Sequence, residues 1–102
     1  MVKLVALYRK PEDPEAFLKH YHEVHLPLVK KMPGLLRVSW GPLASVGRRE
    51  DPPFFYMAEM YFEDDASFKQ ALNSEEGKAS GRDLQSFARD VLLLWGKEEE
   101  SS

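Results

Sequence analysis

The sequence contains no cysteine, and this absence excludes several classes of protein. Without cysteine there is no disulfide scaffold, no thiolate zinc or iron–sulfur site and no cysteine nucleophile. The 102 residues also lack any apolar run close to the roughly 20 residues that cross a bilayer. The opening segment, residues 1–8, is too short and too soon charged for a signal peptide. We therefore expect a cytoplasmic protein that does not act at a membrane.

Positive charge is in deficit, because 14 Lys and Arg residues face 17 Asp and Glu residues, for a net charge of -3. A chain without a broad positive field is a poor partner for nucleic acid or for an anionic membrane. The hydrophobic fraction of 43% is sufficient for a packed core, but the chain is too short for two cores. We predict one domain over residues 1–97 and a disordered acidic tail over residues 98–102.

Amide side chains are rare, since only Gln70, Asn73 and Gln85 carry one, whereas 30% of the residues are charged. Few amides and many charges are typical of thermophilic proteins. A small sequence can also have this composition without any thermal adaptation, and its four methionines favour that alternative. A melting scan distinguishes the two interpretations.

The first part of the chain predicts a strand followed by a broken helix. Val2–Arg9 is dense in Val, Leu and Tyr, as in a strand that is buried on both faces. Asp13 and Pro14 supply the N-cap and the first-turn proline of a helix. Because Pro27 has no N–H to donate, we expect a kink just before it and the end of the helix at Gly34.

The rest of the chain predicts two strands, a helix, a helical turn and a last strand. Asp64 and Asp65 favour the start of the helix, which we expect to stop by Gly77. The remaining predicted segments are a strand over Leu35–Pro42, a long loop over Gly41–Pro53, a strand over Phe54–Glu63, a helical turn over Asp83–Ala88 and a strand over Asp90–Trp95.

The predicted order of strand, helix, strand, strand, helix, strand indicates an α+β fold, the ferredoxin-like βαββαβ arrangement with an antiparallel four-stranded sheet. Both helices then cover one face of the sheet, and a large apolar set remains on the other: Val5, Leu7, Phe55, Met57, Tyr61, Leu92 and Leu94. A bare patch of this size is rarely left to water. We therefore expect two copies to pack sheet against sheet as a dimeric α+β barrel, alone or within a larger assembly of dimers.

Histidine is the first candidate for chemistry, because its ordinary pKa near 6.5 suits proton transfer at neutral pH. Three histidines lie on the first helix. His20 falls on its polar side, where we expect solvent exposure, and His22 lies at the edge of the apolar stripe. His25 lies inside that stripe, and it either binds a backbone group freed by the Pro27 kink or acts in a cleft beside the sheet. The predicted stripe consists of Phe17, Tyr21, Val24 and Leu28, with Leu18, His25 and Met32 beside it.

A metal site is the weaker interpretation of these histidines. His22 and His25 are three residues apart and share a helical face, but the spacing is not that of the His-Glu-x-x-His motif. Carboxylates such as Glu59 or Glu63 would have to complete the coordination shell. We assign no metal and no cofactor.

A second polar set lies on strand faces that we assign to the uncovered side of the sheet, namely Arg37, Ser39, Glu59 and Tyr61. Unpaired charges inside a barrel cost several kcal/mol, so these groups should pair with one another, with the partner copy or with a ligand. An Arg37–Glu59 salt bridge is one alternative, and contact with a polar group of a substrate is the other. The serine-hydrolase, phosphate-loop and dinucleotide motifs do not occur.

The chain resembles the EthD family of dimeric α+β barrels. The resemblance is carried by Pro14-x-x-Phe17, His20-Tyr21-x-x-x-His25-x-Pro27-Leu28, Met32-Pro33-Gly34-Leu35, Glu59-x-x-Phe62, Ser74-x-Glu76-Gly77 and Asp83-x-x-x-Phe87. It implies a ferredoxin-like protomer, a homodimer and a cleft between helix and sheet, with the histidine of the family at His25. The family is named after a gene of oxidative ether degradation, and relatives resemble enzymes that work without a cofactor on polyketide-like or lactone substrates.

The sequence thus leads to a protein that binds a small apolar molecule, with His25 as general acid or base. It would be a cofactor-independent enzyme or an accessory factor in oxidative degradation. The residues expected to contact the ligand are Tyr21, His22, Trp40, Arg37, Glu59 and Tyr61. Two alternatives remain, a non-catalytic dimeric module for binding or assembly and a heme-free monooxygenase that acts on aromatics.

Overall fold

A computed structural model describes residues 1–47, 51–88 and 90–99. The predicted order of elements is confirmed, with four strands in one antiparallel sheet of order β2-β3-β1-β4. The fold is therefore ferredoxin-like. Its elements are β1 (Val2–Tyr8), α1 (Pro14–His20), a π-helical segment (Tyr21–His25), α2 (Leu26–Lys30), β2 (Arg37–Pro42), β3 (Tyr56–Phe62), α3 (Asp65–Asn73), α4 (Glu75–Phe87) and β4 (Val91–Lys97).

The core lies between the helices and one face of the sheet. On β1 this face carries Val2, Ala6 and Tyr8, which are all buried. Across the strand pair, Ala6 is opposite Ala58 and Tyr8 is opposite Tyr56, so β3 presents its own buried residues to the same layer. Because successive side chains of a strand point to opposite faces, the intervening residues form the open face.

The first helix continues through Pro27 by changing its hydrogen-bond pattern. The N–H of Leu26 donates to the carbonyl of Tyr21, five residues back, and residues Tyr21–His25 form a π-helical turn. One residue is thereby inserted into the helix, and this shifts the buried stripe. His25 is buried as predicted, whereas Val24, which was predicted to lie in the stripe, is 43% exposed.

The helix predicted to stop by Gly77 does so, since α3 ends at Asn73, but the prediction of only a short helical turn over Asp83–Ala88 is wrong. Ser74 ends α3 and begins α4, a helix of 13 residues, and its hydroxyl accepts a hydrogen bond from the N–H of Gly77 at 3.0 Å. A Cβ atom at Gly77 would lie 2.0 Å from the carbonyl oxygen of Ala71. Glycine is therefore required by the tight corner between the helices and does not terminate them.

Smaller differences concern the ends of the predicted segments. Phe55 does not lie on the open face, because its ring contacts Phe17 at a centroid distance of 5.4 Å on the helix side. Glu98, predicted to begin the disordered tail, donates its N–H to the carbonyl of Met1 at 2.9 Å. The rest of the predicted tail from residue 100 and the middle of the predicted loop, residues 48–50, lie outside the described residues. None of the described helices combines the length and the apolar character that crossing a bilayer requires.

Candidate functional site

An apolar cavity of about 100 Å³ lies between the sheet and the helices. Its polar side chains come from His25, Tyr8 and Ser80, and the Ser80 hydroxyl is already used, since it donates to the carbonyl of Gly77 at 2.9 Å. The other residues that line it are Leu4, Ala6, Val29, Met32, Met60, Leu72, Gly77, Gly81, Leu84 and Leu93. His25 is only 5% exposed, so its ring belongs to this interior.

Asp83 of α4 connects two histidines of the first helix. Its Oδ2 atom lies 3.0 Å from Nδ1 of His25, and its Oδ1 atom lies 2.8 Å from Nε2 of His20. The side chains become more buried along this series, with 32% of His20, 13% of Asp83 and 6% of His25 exposed. The cluster therefore leads from the protein surface to the cavity.

The electrostatic balance at His25 favours the neutral imidazole. Burial lowers the pKa of His25 below 6.5, while the hydrogen bond and the negative charge of Asp83 oppose this effect. A carboxylate that accepts from Nδ1 fixes the proton on that nitrogen, which leaves the lone pair on Nε2. No described residue forms a hydrogen bond with Nε2. His25 can thus act as a base towards a molecule in the cavity.

Two buried tyrosines stand beside this base. Burial, reinforced by Tyr21 and Asp83, raises the pKa of the Tyr8 hydroxyl, and burial with Tyr56 raises that of Tyr21. Both phenols therefore stay protonated at neutral pH and can donate hydrogen bonds. The rings of Tyr8 and Tyr21 meet edge to face at a centroid distance of 5.9 Å, and Tyr8 lines the cavity.

The residues predicted to surround His25 are only partly brought together. The ring of Tyr21 lies 5.8 Å from that of His25, but neither Tyr21 nor Trp40 lines the cavity. His22 is exposed and its Nε2 atom binds the hydroxyl of Tyr56 at 3.0 Å. Trp40 is 40% exposed and lies near His22 at the rim of the helix layer.

The second predicted set lies on the other side of the sheet and cannot share a ligand with His25 in this protomer. Arg37 and Tyr61 are cross-strand neighbours, and the guanidinium lies over the phenol ring at 4.0 Å. The Tyr61 hydroxyl donates to Glu59 at 2.5 Å, which raises the pKa of Tyr61, and Lys3 lies 3.5 Å from the same carboxylate. Within the protomer Glu59 pairs with Lys3, so the interstrand form of the predicted Arg37–Glu59 salt bridge is not present, and a salt bridge between Arg37 and Glu59 of two copies stays a prediction. Ser39 is opposite Glu59 on the same face.

Sequence reasoning missed the role of Asp83 and placed His20 in solvent. Asp83 lies on the inward side of α4, one helical turn from Ser80 and Phe87, both of which face the interior. A carboxylate inside such a stripe is a signal that a cationic or hydrogen-bonding partner lies opposite. The partner itself could not be read from the sequence, because the prediction placed no long helix there.

Among the described residues, no group of three or more His, Asp or Glu side chains is arranged to hold a metal ion. His22 and His25 have separate partners, Tyr56 and Asp83.

Known proteins share both the sequence and the fold of this chain. An uncharacterized 11.0 kDa protein in the thcB-thcC intergenic region of Rhodococcus erythropolis is 34% identical over 102 residues, which cover 99% of this chain and 97% of the relative. The crystal structure of an ethyl tert-butyl ether d (EthD) family protein from Bacillus halodurans is 42% identical. It has a TM-score of 0.91, with 97% of this chain and 99% of that chain covered.

A more distant likeness concerns the fold alone. The crystal structure of SnoaB, a cofactor-independent oxygenase from Streptomyces nogalater, is 16% identical with a TM-score of 0.70, and 98% of this chain and 94% of that chain are covered.

The sequence model of the EthD domain matches residues 9–90. With this match and two full-length relatives, the chain belongs to the EthD family.

Proposed function

We propose that the protein is a cofactor-independent enzyme that removes a proton from a small apolar organic molecule bound in the His25 cavity. The observation that carries this proposal is the hydrogen bond between Asp83 and Nδ1 of His25 at the edge of an otherwise apolar cavity. A neutral histidine held by a carboxylate at the edge of an apolar cavity is the arrangement expected of a general base.

The proton would move from a weakly acidic C–H or O–H group of the ligand to Nε2 of His25. The resulting imidazolium would carry its charge next to the carboxylate of Asp83, which compensates it. The negative charge left on a ligand oxygen can be stabilised by a hydrogen bond from the neutral hydroxyl of Tyr8. Each of these roles uses side chains of this protomer, so no cofactor is needed for the proton transfer.

The apolar lining indicates the substrate class. Of the described residues that line the cavity, none carries a charged side chain besides the titratable His25, and a lining of leucine, methionine, valine and alanine favours neutral, weakly polar molecules. Small ketones have this character, and the C–H groups next to their carbonyl are weakly acidic. The family name and the likeness to a cofactor-independent oxygenase support a place for the protein in oxidative degradation.

We also propose that two copies form the functional unit through the open face of the sheet. This face carries Val5, Leu7, Met57, Leu92 and Leu94, and Leu92 and Leu94 are 41% and 47% exposed in the single chain. A second copy would remove this apolar patch from water. The neighbouring Lys3–Glu59 pair neutralises its own charges, whereas Arg37, whose guanidinium lies over the ring of Tyr61, would face the partner copy.

A non-catalytic binding module is the second candidate, and the small volume of the cavity favours it. Hydrogen exchange distinguishes the two functions without knowledge of the substrate. With 2-butanone in D₂O, the wild type should replace hydrogens next to the carbonyl by deuterium faster than free imidazole at equal concentration, as followed by proton NMR. His25→Gln should fall to the imidazole background, whereas Glu23→Gln, at an exposed carboxylate on the same helix, should behave as the wild type.

If the wild type does not exceed free imidazole, the protein is not a base catalyst of this class and the binding module is the better interpretation. If His25→Gln exchanges as fast as the wild type but melts at a lower temperature, His25 has a structural role. Oxygen uptake in separate samples that contain an electron-rich phenol tests the third alternative, direct oxidation of an aromatic substrate. Uptake that depends on His25 would favour it.

A further inference from the structure

An open groove continues the His25 cavity outwards between α4 and β4. It has a volume of about 440 Å³ and shares Gly81, Leu84 and Leu93 with the cavity. Its other lining residues in the described part of the chain are Gln85, Ala88 and Val91, and among these Gln85 carries a polar side chain. The groove and the cavity therefore form one apolar path from the surface to His25.

Gly81 lies where the groove meets the cavity, and its lack of a side chain has no packing explanation. Gly77, one turn earlier in α4, is forced to be glycine because a Cβ would lie 2.0 Å from the carbonyl oxygen of Ala71. At Gly81, by contrast, a Cβ would meet no atom within 4 Å. Glycine inside a helix is less stable than alanine by roughly 1 kcal/mol. This position gives up helix stability and leaves the mouth of the cavity open.

Leu93 of β4 belongs to the same path. Leu93 pairs with Ala6 on the helix side of the sheet, yet it is 47% exposed because β4 is an edge strand and α4 does not cover it completely. An apolar side chain on the covered face that stays half in water indicates a place where another apolar group can pack.

The volumes indicate how a ligand would be divided along this path. The inner cavity, about 100 Å³, is smaller than the cavity of about 150 Å³ that is known to bind benzene in another protein. It has room for a small reactive head group, and any larger molecule must extend past Gly81 into the groove.

We propose that the groove between α4 and β4 is a second binding subsite, which holds the apolar tail of an elongated ligand whose head lies at His25. This inference rests on the proposed function for the assignment of the head group, and it extends that function by naming the substrate class. The ligand is a small molecule with a weakly polar head and an unbranched alkyl tail, such as a medium-chain alkyl ketone.

The test uses 2-butanone, 2-hexanone and 2-octanone, whose dissociation constants are measured by titration calorimetry with the full chain. Burial of one methylene group corresponds to about 0.8 kcal/mol, which is roughly a fourfold change in affinity. In the wild type, 2-octanone has four more methylene groups than 2-butanone and should bind on the order of 100-fold tighter. Gly81→Leu should bring the ratio of the affinities for 2-octanone and 2-butanone close to one, whereas Gly81→Ala should lower this ratio only slightly.

Both variants replace glycine by a residue that favours the helix, at a position where a Cβ meets no atom within 4 Å. Thermal unfolding should therefore show at least wild-type stability. The subsite is disproved if affinity does not rise with chain length in the wild type, or if Gly81→Leu keeps the full rise. A change of sedimentation coefficient in Gly81→Leu would also overturn it, because the groove would then be a contact between copies. Hydrogen exchange of 2-butanone, which depends on His25 and Asp83 and not on the groove, tests the proposed base separately from the tail subsite.

Discussion

Asp83 binds His25 through a 3.0 Å contact between Oδ2 and Nδ1, although 58 residues separate them in the chain. This contact joins α4 to the π-helical turn that Pro27 imposes on the first helix. Because the π turn rotates His25 into the buried layer, the ring meets both the carboxylate and the cavity. The irregularity of the helix thus creates the candidate site.

The first prediction concerns the carboxylate. In Asp83→Asn, an amide replaces the acceptor and no longer fixes the proton on Nδ1 of His25, so the base at Nε2 is lost in part of the molecules. Hydrogen exchange of 2-butanone should fall roughly 10²-fold or more, to the limit of the background. Removal of a partner from a nearly buried hydrogen bond should lower the free energy of unfolding by about 1–3 kcal/mol.

Asp90→Asn, at an exposed aspartate just before β4, is the matched control and should leave both quantities unchanged. Denaturant unfolding measures the stability and NMR measures the exchange. An Asp83→Asn protein that is destabilised but exchanges at the wild-type rate would show that the carboxylate only supports the fold.

The second prediction concerns pH and stability. Burial lowers the pKa of His25 in the folded protein below 6.5, the value of the unfolded chain. The unfolded state therefore binds more protons in the interval between the two pKa values, so the free energy of unfolding rises with pH there. The contribution of His25 is fully present above about pH 6.5 and is lost as the pH falls through the folded pKa.

Urea unfolding at a series of pH values measures this effect, and His25→Gln should remove its share of the slope below pH 6.5. The difference between the two pH profiles isolates the contribution of His25 and its contacts. A wild type and a His25→Gln variant with parallel pH profiles would contradict the lowered pKa.

Much of the fold was predictable, because it depends on signals that are local in the sequence. The predicted N-cap at Asp13 is confirmed, because its side chain accepts a hydrogen bond from the N–H of Ala16 at 3.1 Å. The helix start predicted at Asp64 and Asp65 is confirmed as well, since Asp64 accepts from the N–H of Ser67 at 2.8 Å. The alternating pattern of β3 gave the correct faces, as the burial of Ala58 shows. These features need only neighbouring residues, and for that reason the sequence alone indicates them.

The site was less predictable, because it depends on contacts between distant segments. His25 was identified from its place in the apolar stripe. The π turn that moves Val24 out of that stripe was not, because it depends on which hydrogen bonds the backbone groups before Pro27 form in the folded structure. Asp83 was missed because Gly77 looked like the end of a helix. Residue 77 is glycine because the backbone of Ala71 lies too close for a side chain, and this contact exists only in the folded structure.

The third prediction compares the two glycines of α4. Gly77→Ala should destabilise the protein by several kcal/mol, because its Cβ would overlap the backbone of Ala71 and force α3 and α4 apart. Gly81→Ala should stabilise it by about 1 kcal/mol, since the new methyl group meets no neighbour and alanine favours the helix. Thermal and denaturant unfolding of the pair measure both effects, and equal changes in the two variants would contradict this account of the corner at Ser74.

The fourth prediction concerns the open face of the sheet. If two copies pack through this face, Leu94→Arg places an unpaired charge in the contact, which costs several kcal/mol when it is desolvated, and the dimer should dissociate. Sedimentation equilibrium at micromolar concentration should show a dimer for the wild type and a monomer for Leu94→Arg. Val46→Arg is the control, because Val46 is 96% exposed outside the sheet, and this variant should remain dimeric. A monomeric wild type would disprove the barrel and leave Leu92 and Leu94 in water.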